Sequence, residues 1–335
     1  MRHVNIPIFV AQMGCPHQCV FCNQRAITHT GGQMDGPRAA EILRQAVATL
    51  PPHCDAEIAF FGGSFTGIEK ERQQALLAAA QPYLENGRAG GIRLSTRPDL
   101  IDRQTVDWLK ERGVTSIELG AQSMDEEVLR QSGRGHTPAD VERASGIIRE
   151  AGLELGLQMM VGLPGDTREK CQHTAREIIR LGAQTTRIYP TLVLRGTPLA
   201  EMYQRGEYQP LELEQALEWC ADLLSMMRRA QVKVLRLGLM AEENLSPQRD
   251  LLAGPWHPAF GELVRGRVLR RQAEGLFCCR LQGDQVVLRV HPKEVSAFVG
   301  PGRSNVDFLR QRFGLRTLTV HADETLPRGV VRREE

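Results

Sequence analysis

From residue 4 to residue 189, short apolar runs alternate with longer stretches in which apolar residues recur every three or four positions. A short apolar run bounded by turn residues fits a buried strand, and the three-to-four spacing fits a helix with one buried face. On this pattern strands are expected at 4–10, 56–61, 91–95, 114–119, 154–161 and 184–189. Helices are expected at 36–49, 69–83, 103–112, 125–131, 138–151 and 167–181. Six successive βα units build either a doubly wound sheet or a barrel, and in both the chemistry belongs at the carboxyl ends of the strands.

The chain has 335 residues, 41% of them hydrophobic and 24% charged, enough for one large domain with a smaller companion. It holds no apolar run of about 18 residues, so no membrane span is expected. The apolar start is broken by Asn5 and Pro7 and runs into a cysteine motif, which argues against a cleaved leader. Five of the eight cysteines (Cys54, Cys171, Cys220, Cys278 and Cys279) lack the spacing of a disulfide framework. A reducing, cytoplasmic setting is therefore expected. Net charge is divided unevenly: residues 251–335 hold 14 Lys and Arg against 9 Asp and Glu, or +5, so a total of +2 leaves −3 for residues 1–250. A basic tail on a more acidic body suits a nucleic-acid-facing module, and equally an arginine-rich solvated face.

The chemistry gathers after the predicted strands. Cys15, Cys19 and Cys22 form a CxxxCxxC loop after the first. Three thiolates are one fewer than a four-iron cluster needs, which leaves one iron open to the amino and carboxylate groups of S-adenosylmethionine (SAM). The competing reading is a structural zinc completed by His17 or His29. Phe21, just before the third cysteine, offers a ring for an adenine or a side chain for the core. Gly62-Gly63-Ser64 follows the second strand, where glycines allow close approach of a ligand and main-chain carbonyls accept from an ammonium group. Taken alone it is a turn. Ser95-Thr96-Arg97-Pro98-Asp99 ends the third strand, placing hydroxyls and an arginine at the rim, suited to a ribose or a carboxylate, with Pro98 and Asp99 equally suited to start a helix. Gln122 ends the fourth strand region, and the adjacent Ser123 is read as a helix N-cap. Gly162-Leu163-Pro164-Gly165 follows the fifth and borders an adenine; Asp166 or Thr167 caps the next helix. His136, in Arg134-Gly135-His136, is either a site residue or a loop histidine.

These residues resemble the radical SAM superfamily. More narrowly, Ser95 to Asp99, Glu118 to Ser123, Arg134 to Thr137, Arg187-Ile-Tyr-Pro-Thr-Leu-Val193 and Arg195-Gly-Thr197 are similar to the radical core of the Elongator catalytic subunit. The resemblance covers about residues 5–240. It implies a partial (β/α)6 TIM-like barrel, a [4Fe-4S] cluster on Cys15, Cys19 and Cys22, and reductive cleavage of SAM to a 5'-deoxyadenosyl radical. Gly62, Gly63 and Ser64 would then position the methionine moiety. Thr96, Gln122 and Gly162, Leu163, Pro164 and Gly165 would border ribose and adenine, with Phe21 beside the cluster and Tyr189 near the radical's target. An electron donor such as flavodoxin or ferredoxin is implied. The Elongator subunit carries a tRNA-contacting segment ahead of its more widely spaced cysteines and an acetyltransferase domain behind. Here 14 residues precede Cys15 and no acetyl-coenzyme A motif follows, so carboxymethyl transfer is not expected. The cysteine spacing is closer to that of relatives of oxygen-independent coproporphyrinogen oxidase. These keep open a second class: a haem or cofactor binding and delivery protein, or a radical enzyme acting on a porphyrin-like molecule.

The boundary between core and tail is placed at 240/241. In the tail, a strand at 286–290, a short helix at 293–298, the loop Gly300-Pro301-Gly302-Arg303, a helix at 304–313 and a strand at 316–320 are expected. That order resembles a KH-like RNA-binding core, whose GxxG loop lies along the nucleic-acid backbone. Arg303 stands where the second glycine would be. An RNA (tRNA) partner and a small α+β domain that packs against the barrel are the two readings.

Overall fold

The computed structural model describes every residue except 1–2, 12, 24–33, 52–53, 240–249, 278–284 and 335. His29, Cys278 and Cys279 thus lie outside the described residues. The first part of the chain runs β1 (His3–Phe9), α1 (Gly36–Ala48), β2 (Asp55–Phe61), α2 (Lys70–Glu85), β3 (Gly91–Thr96), α3 (Arg103–Lys110), β4 (Val114–Gln122), α4 (Glu126–Gln131), α5 (Pro138–Glu150), β5 (Glu154–Val161), α6 (Arg168–Arg180) and β6 (Thr185–Pro190). The six expected βα units are all present. Helix starts are set by short polar caps: Asp35, Asp102, Asp125 and Thr167 accept from the first-turn amides, and Thr137 forms a reciprocal box with Asp140. Ser123 does not take the capping role read from the sequence. Asp125 does, while the Ser123 hydroxyl accepts from the Asp125 amide at 3.1 Å.

Next come β7 (Val193–Leu194), α7 (Pro198–Gln204), α8 (Leu213–Arg229) and β8 (Lys233–Leu237). β8 was not expected; it joins β6 as a seventh strand, giving a sheet ordered β1-β2-β3-β4-β5-β6-β8 with every pair parallel. The sheet is a curled half-barrel, with β1 and β8 at its two edges. Alternation along each strand separates its faces. Ile58, Phe60, Ile92, Leu94, Ile117, Leu119, Leu155, Leu157 and Ile188 pack against the helices in one large core. Glu57, Arg93, Ser95, Glu118, Gln158, Arg187 and Tyr189 occupy the alternate positions and point to the concave side, lining its two openings or bridging between them.

The tail contains β9 (Leu251–Ala253), α9 (Phe260–Leu276), β10 (Gln285–Val290), α10 (Val295–Val299), α11 (Ser304–Phe313), β11 (Thr317–Ala322) and β12 (Val331–Arg333). β10 pairs parallel with β11 and antiparallel with β12. A second core forms from Leu269, Phe277, Leu288, Phe298, Val306 and Leu309 with their neighbours. α9 serves both cores, since Phe260, Val264 and Val268 pack with the barrel and Leu269 and Ala273 with the tail. Arg267 and Arg271 on α9 pair with Glu214, Glu218 and Asp222 on α8, fixing the helix along the barrel. No helix of the described residues is long and apolar enough to cross a membrane.

Candidate active site

The cysteine loop is held by backbone. Met13 O accepts from Ser64 N at 2.9 Å, which ties the loop's stem to the turn after β2. Gly14, Gly63 and Gly67 make that approach possible: a Cβ on Gly63 would lie 2.4 Å from Val10 O, and one on Gly67 would lie 2.1 Å from Gly14 O. The expectation that Gly63 opens space for a ligand is thus only half of its role, because its missing side chain is occupied by the cysteine loop itself. Further along, Val20 N donates to Ser132 O and Val20 O accepts from Leu199 N. The loop is clamped between the α4–α5 connection and α7.

Cys15, Cys19, Cys22, Phe21, Gly62, Gly63, Ser64, Thr96, Gln122 and Tyr189 all line one cavity of about 900 Å³ at the carboxyl ends of the strands. Cys15 is exposed there, Cys19 buried and Cys22 between the two. Cys15 Sγ and Ser64 Oγ are 3.2 Å apart, and the hydroxyls of Thr66 and Thr96 are 2.6 Å apart. Phe21 has a double position, lining the cavity and packing against Val193 and Leu199. The Gly162 to Gly165 loop is not among the lining residues. Its Gly162 carbonyl accepts from Tyr208 Oη at 2.6 Å, and its Gly162 amide donates to Asp166, which also accepts from the Cys171 thiol and the Thr167 amide. Burial pushes the Asp166 carboxyl above the usual range against the pull of these donors.

Arg134 is a cavity residue that the sequence reading did not single out. It donates to Cys19 Sγ at 3.2 Å and to Gly120 O at 2.5 Å, while its own carbonyl takes a bond from Arg97, itself fixed by both oxygens of Asp99. Gly135 leaves room for the His17 ring, which a Cβ would meet at 2.5 Å. His136 is buried behind this strap with Nε2 3.2 Å from Ala121 O. Burial, with the charges of Arg134 and Arg97, brings its pKa down to about 3, so the ring is neutral. It is a loop histidine that supports the strap and not a cavity group. Gln122 adopts φ 63 at a break in the β4–β5 register and folds back over Gly120. Left-handed backbone at a residue with a side chain is strained by about 1–3 kcal/mol and clusters at functional sites.

Toward the β6–β8 edge, Arg187 is bound by both oxygens of Glu118 at 2.6 and 3.0 Å and lies 4.7 Å from the Phe61 ring centroid. Glu118 also meets Arg93, which pairs with Glu57 and Glu154 toward the other end of the strands. Burial of Tyr189 beside Arg187 pushes its phenol above the ordinary value, so it is protonated.

The cavity suits the cofactors that the cysteines suggest. Among the described residues, which leave out His29, no three His, Cys, Asp or Glu side chains converge as ligands of a single metal ion. A multi-iron cluster is wider than one ion and takes thiolates spread around it. Three buried polar atoms at the cysteine end, Gln122 Oε1, Arg97 Nη1 and Arg134 Nε, have no partner among the described residues. Unpaired buried groups of this kind call for a polar ligand.

A model of the "Radical SAM superfamily" matches residues 9–178, and one of the "Radical_SAM C-terminal domain" matches residues 183–270. A tRNA uridine(34) acetyltransferase of Methanocaldococcus jannaschii is 34% identical over 299 residues, covering 77% of this chain and 54% of the relative. That of Methanocaldococcus infernus is 33% identical over 262 residues, covering 66% and 49%. The chain therefore spans about half the length of these relatives. The solved archaeal Methanocaldococcus infernus Elp3 with its N-terminus deleted (1-46) superposes with a TM-score of 0.63 at 22% identity, covering 85% of this chain and 66% of that one. The fold is shared at that level, and the first family match spans half of the chain. The chain belongs to the radical SAM superfamily and is a radical SAM enzyme, a family whose chemistry implies an iron-sulfur cluster and SAM.

Proposed function

We propose that this enzyme cleaves SAM reductively at a [4Fe-4S] cluster held by Cys15, Cys19 and Cys22 and directs the resulting radical at RNA, a tRNA base in particular. The observation that carries the reading is the meeting of all three cysteines with Ser64, Thr96, Gln122 and Arg134 around one cavity, in a chain whose relatives include tRNA uridine(34) acetyltransferases. When bound, the cluster supplies one electron, and SAM supplies the 5'-deoxyadenosyl group.

The chain's own residues hold and orient. Gly62, Gly63 and Ser64 meet the amino and carboxylate end of SAM. Thr96 and Gln122 offer a hydroxyl and an unpaired amide oxygen to its ribose and adenine. Phe21 walls the cluster side. The Gly162 to Gly165 loop, packed on Tyr208, acts from behind the cavity wall, supporting β5 without lining the site. Tyr189, protonated and on the β6 edge, faces the space left for the substrate. A low-potential donor such as flavodoxin or ferredoxin supplies the electron.

The test is 5'-deoxyadenosine formation by anaerobically reconstituted protein under reduction, with and without bulk tRNA. Product that rises with tRNA and vanishes in Cys19→Ala is expected. Turnover indifferent to tRNA would sink the RNA assignment, and no turnover from protein with its cluster intact would point to cofactor binding or delivery.

A further inference from the structure

Four arginines, Arg97, Arg134, Arg187 and Arg236, line the cavity, and among the described residues no aspartate or glutamate does. Three of the four make short bonds to fixed acceptors, although Arg97 Nη1 and Arg134 Nε stay open among the described residues. Arg97 is bound by Asp99, Arg134 by Gly120 O and the Cys19 sulfur, and Arg187 by both oxygens of Glu118. Arg236 is different. Among the described residues its guanidinium has no carboxylate within ion-pair distance, and its one hydrogen bond is a long one, 3.4 Å from Nε to Gly238 O. It stands on β8 directly opposite Arg187 on β6, the two being register partners in adjacent parallel strands.

Like charges side by side on one sheet face repel. Glu118 cannot relieve the second of them, because its two oxygens already serve Arg187 and Arg93. A guanidinium whose planar set of donors is left open in the cavity matches a phosphate or carboxylate with two parallel bonds. Its place is also specific. Arg236 lies at the sheet edge opposite β1 and the cysteines that follow it, on the side of the cavity that holds Tyr189, Gln158 and Leu239.

We infer that Arg236 is the anchor of an oxyanion subsite, binding a phosphate or carboxylate carried by the substrate and setting the substrate's reacting group beside Tyr189. Arg187 is locked by Glu118 and Phe61 as a fixed positive neighbour, and Arg236 swings to the anion. This deepens the proposed function, which rests on RNA as substrate, but it would hold for any anionic substrate entering the same cavity.

The test is equilibrium dialysis of radiolabelled uridine 5'-monophosphate against anaerobically reconstituted protein saturated with SAM, so that the cysteine end is filled. Uridine, inorganic phosphate and propionate serve as competitors. The parent is expected to hold the monophosphate about tenfold tighter than uridine, with Arg236→Gln losing that preference and Arg236→Lys keeping part of it. Competition by phosphate above propionate assigns a nucleotide phosphate, and competition by propionate at least as strong assigns a carboxylate. Equal affinity for the monophosphate and uridine in the parent overturns the inference without needing any variant. So does an Arg236→Gln protein that binds as the parent does, and so does a site from which neither anion displaces the ligand. The readout involves no turnover. A protein that passes here while its SAM cleavage ignores tRNA keeps the subsite and loses the RNA assignment.

Discussion

At the scale of single residues, the cysteine end depends on contacts between distant parts of the chain as much as on the cysteine loop itself: Arg134 reaches the Cys19 sulfur at 3.2 Å. Cys15, Cys19 and Cys22 announce themselves. Arg134 does not, since its bond to Cys19 crosses 115 positions. Gly63 was recognised as a site of close approach, but which object approaches was beyond local reading. Arg134 carries a sharp consequence for the proposed site. A cationic donor to a ligating sulfur favours the more negative, reduced cluster, and a charge-assisted bond of about 1.4 kcal/mol corresponds to ~60 mV for a one-electron couple. Arg134→Met should therefore still load a cluster on its three thiolates, with a potential more negative by that order. An anaerobic redox titration followed by electron paramagnetic resonance measures it. A full cluster at the parent's potential would mean that Arg134 serves Gly120 and the strap alone.

Elements were easier to read than contacts, because alternation and helical spacing are local signals. All six βα units are where the pattern puts them, with bounds within two residues of those expected except for β4, which runs three residues past 119 to Gln122. β8 escaped because its five residues, Lys-Val-Leu-Arg-Leu, are short and carry two cations, and only the open edge of β6 makes them a strand. The packing of one loop on another is the element-scale feature with the clearest test. A methyl on Gly63 would press against the carbonyls of Val10 and Met13, at 2.4 and 2.6 Å, and neither is a flexible side-chain end. Gly63→Ala should thus displace the cysteine loop at a cost of about 1–3 kcal/mol. Iron content after reconstitution should fall well below the parent's while the far-ultraviolet circular dichroism spectrum stays that of a folded barrel. Full iron loading would show that the stem gives way without moving the cysteines.

For the whole molecule, the question is whether the basic tail shares a substrate with the cavity at the carboxyl ends of the strands. The strand–helix–loop–helix–strand order of the tail was visible in sequence, and its parallel β10–β11 pair sets α10 and α11 over one face. Whether that module grips RNA is a matter of surface charge and not of fold, which is why the sequence could leave two readings standing. The loop between the helices is poised for such a contact: Pro301, Gly302 and Arg303 are exposed, and both Gly302 and Arg303 adopt positive φ, so the arginine projects from a turn at the start of α11. It sits on the second core, apart from the cysteine cavity. On the RNA reading, Arg303 meets a phosphate, and each phosphate neutralised adds about 0.7–0.9 to the slope of log affinity against log salt. Arg303→Glu should then weaken tRNA binding several-fold, lower that slope by about one, and leave SAM cleavage without tRNA unchanged. Filter binding across a salt series gives both quantities. A variant with the parent's slope would confine recognition to the barrel and leave the tail as a packing module carried by α9.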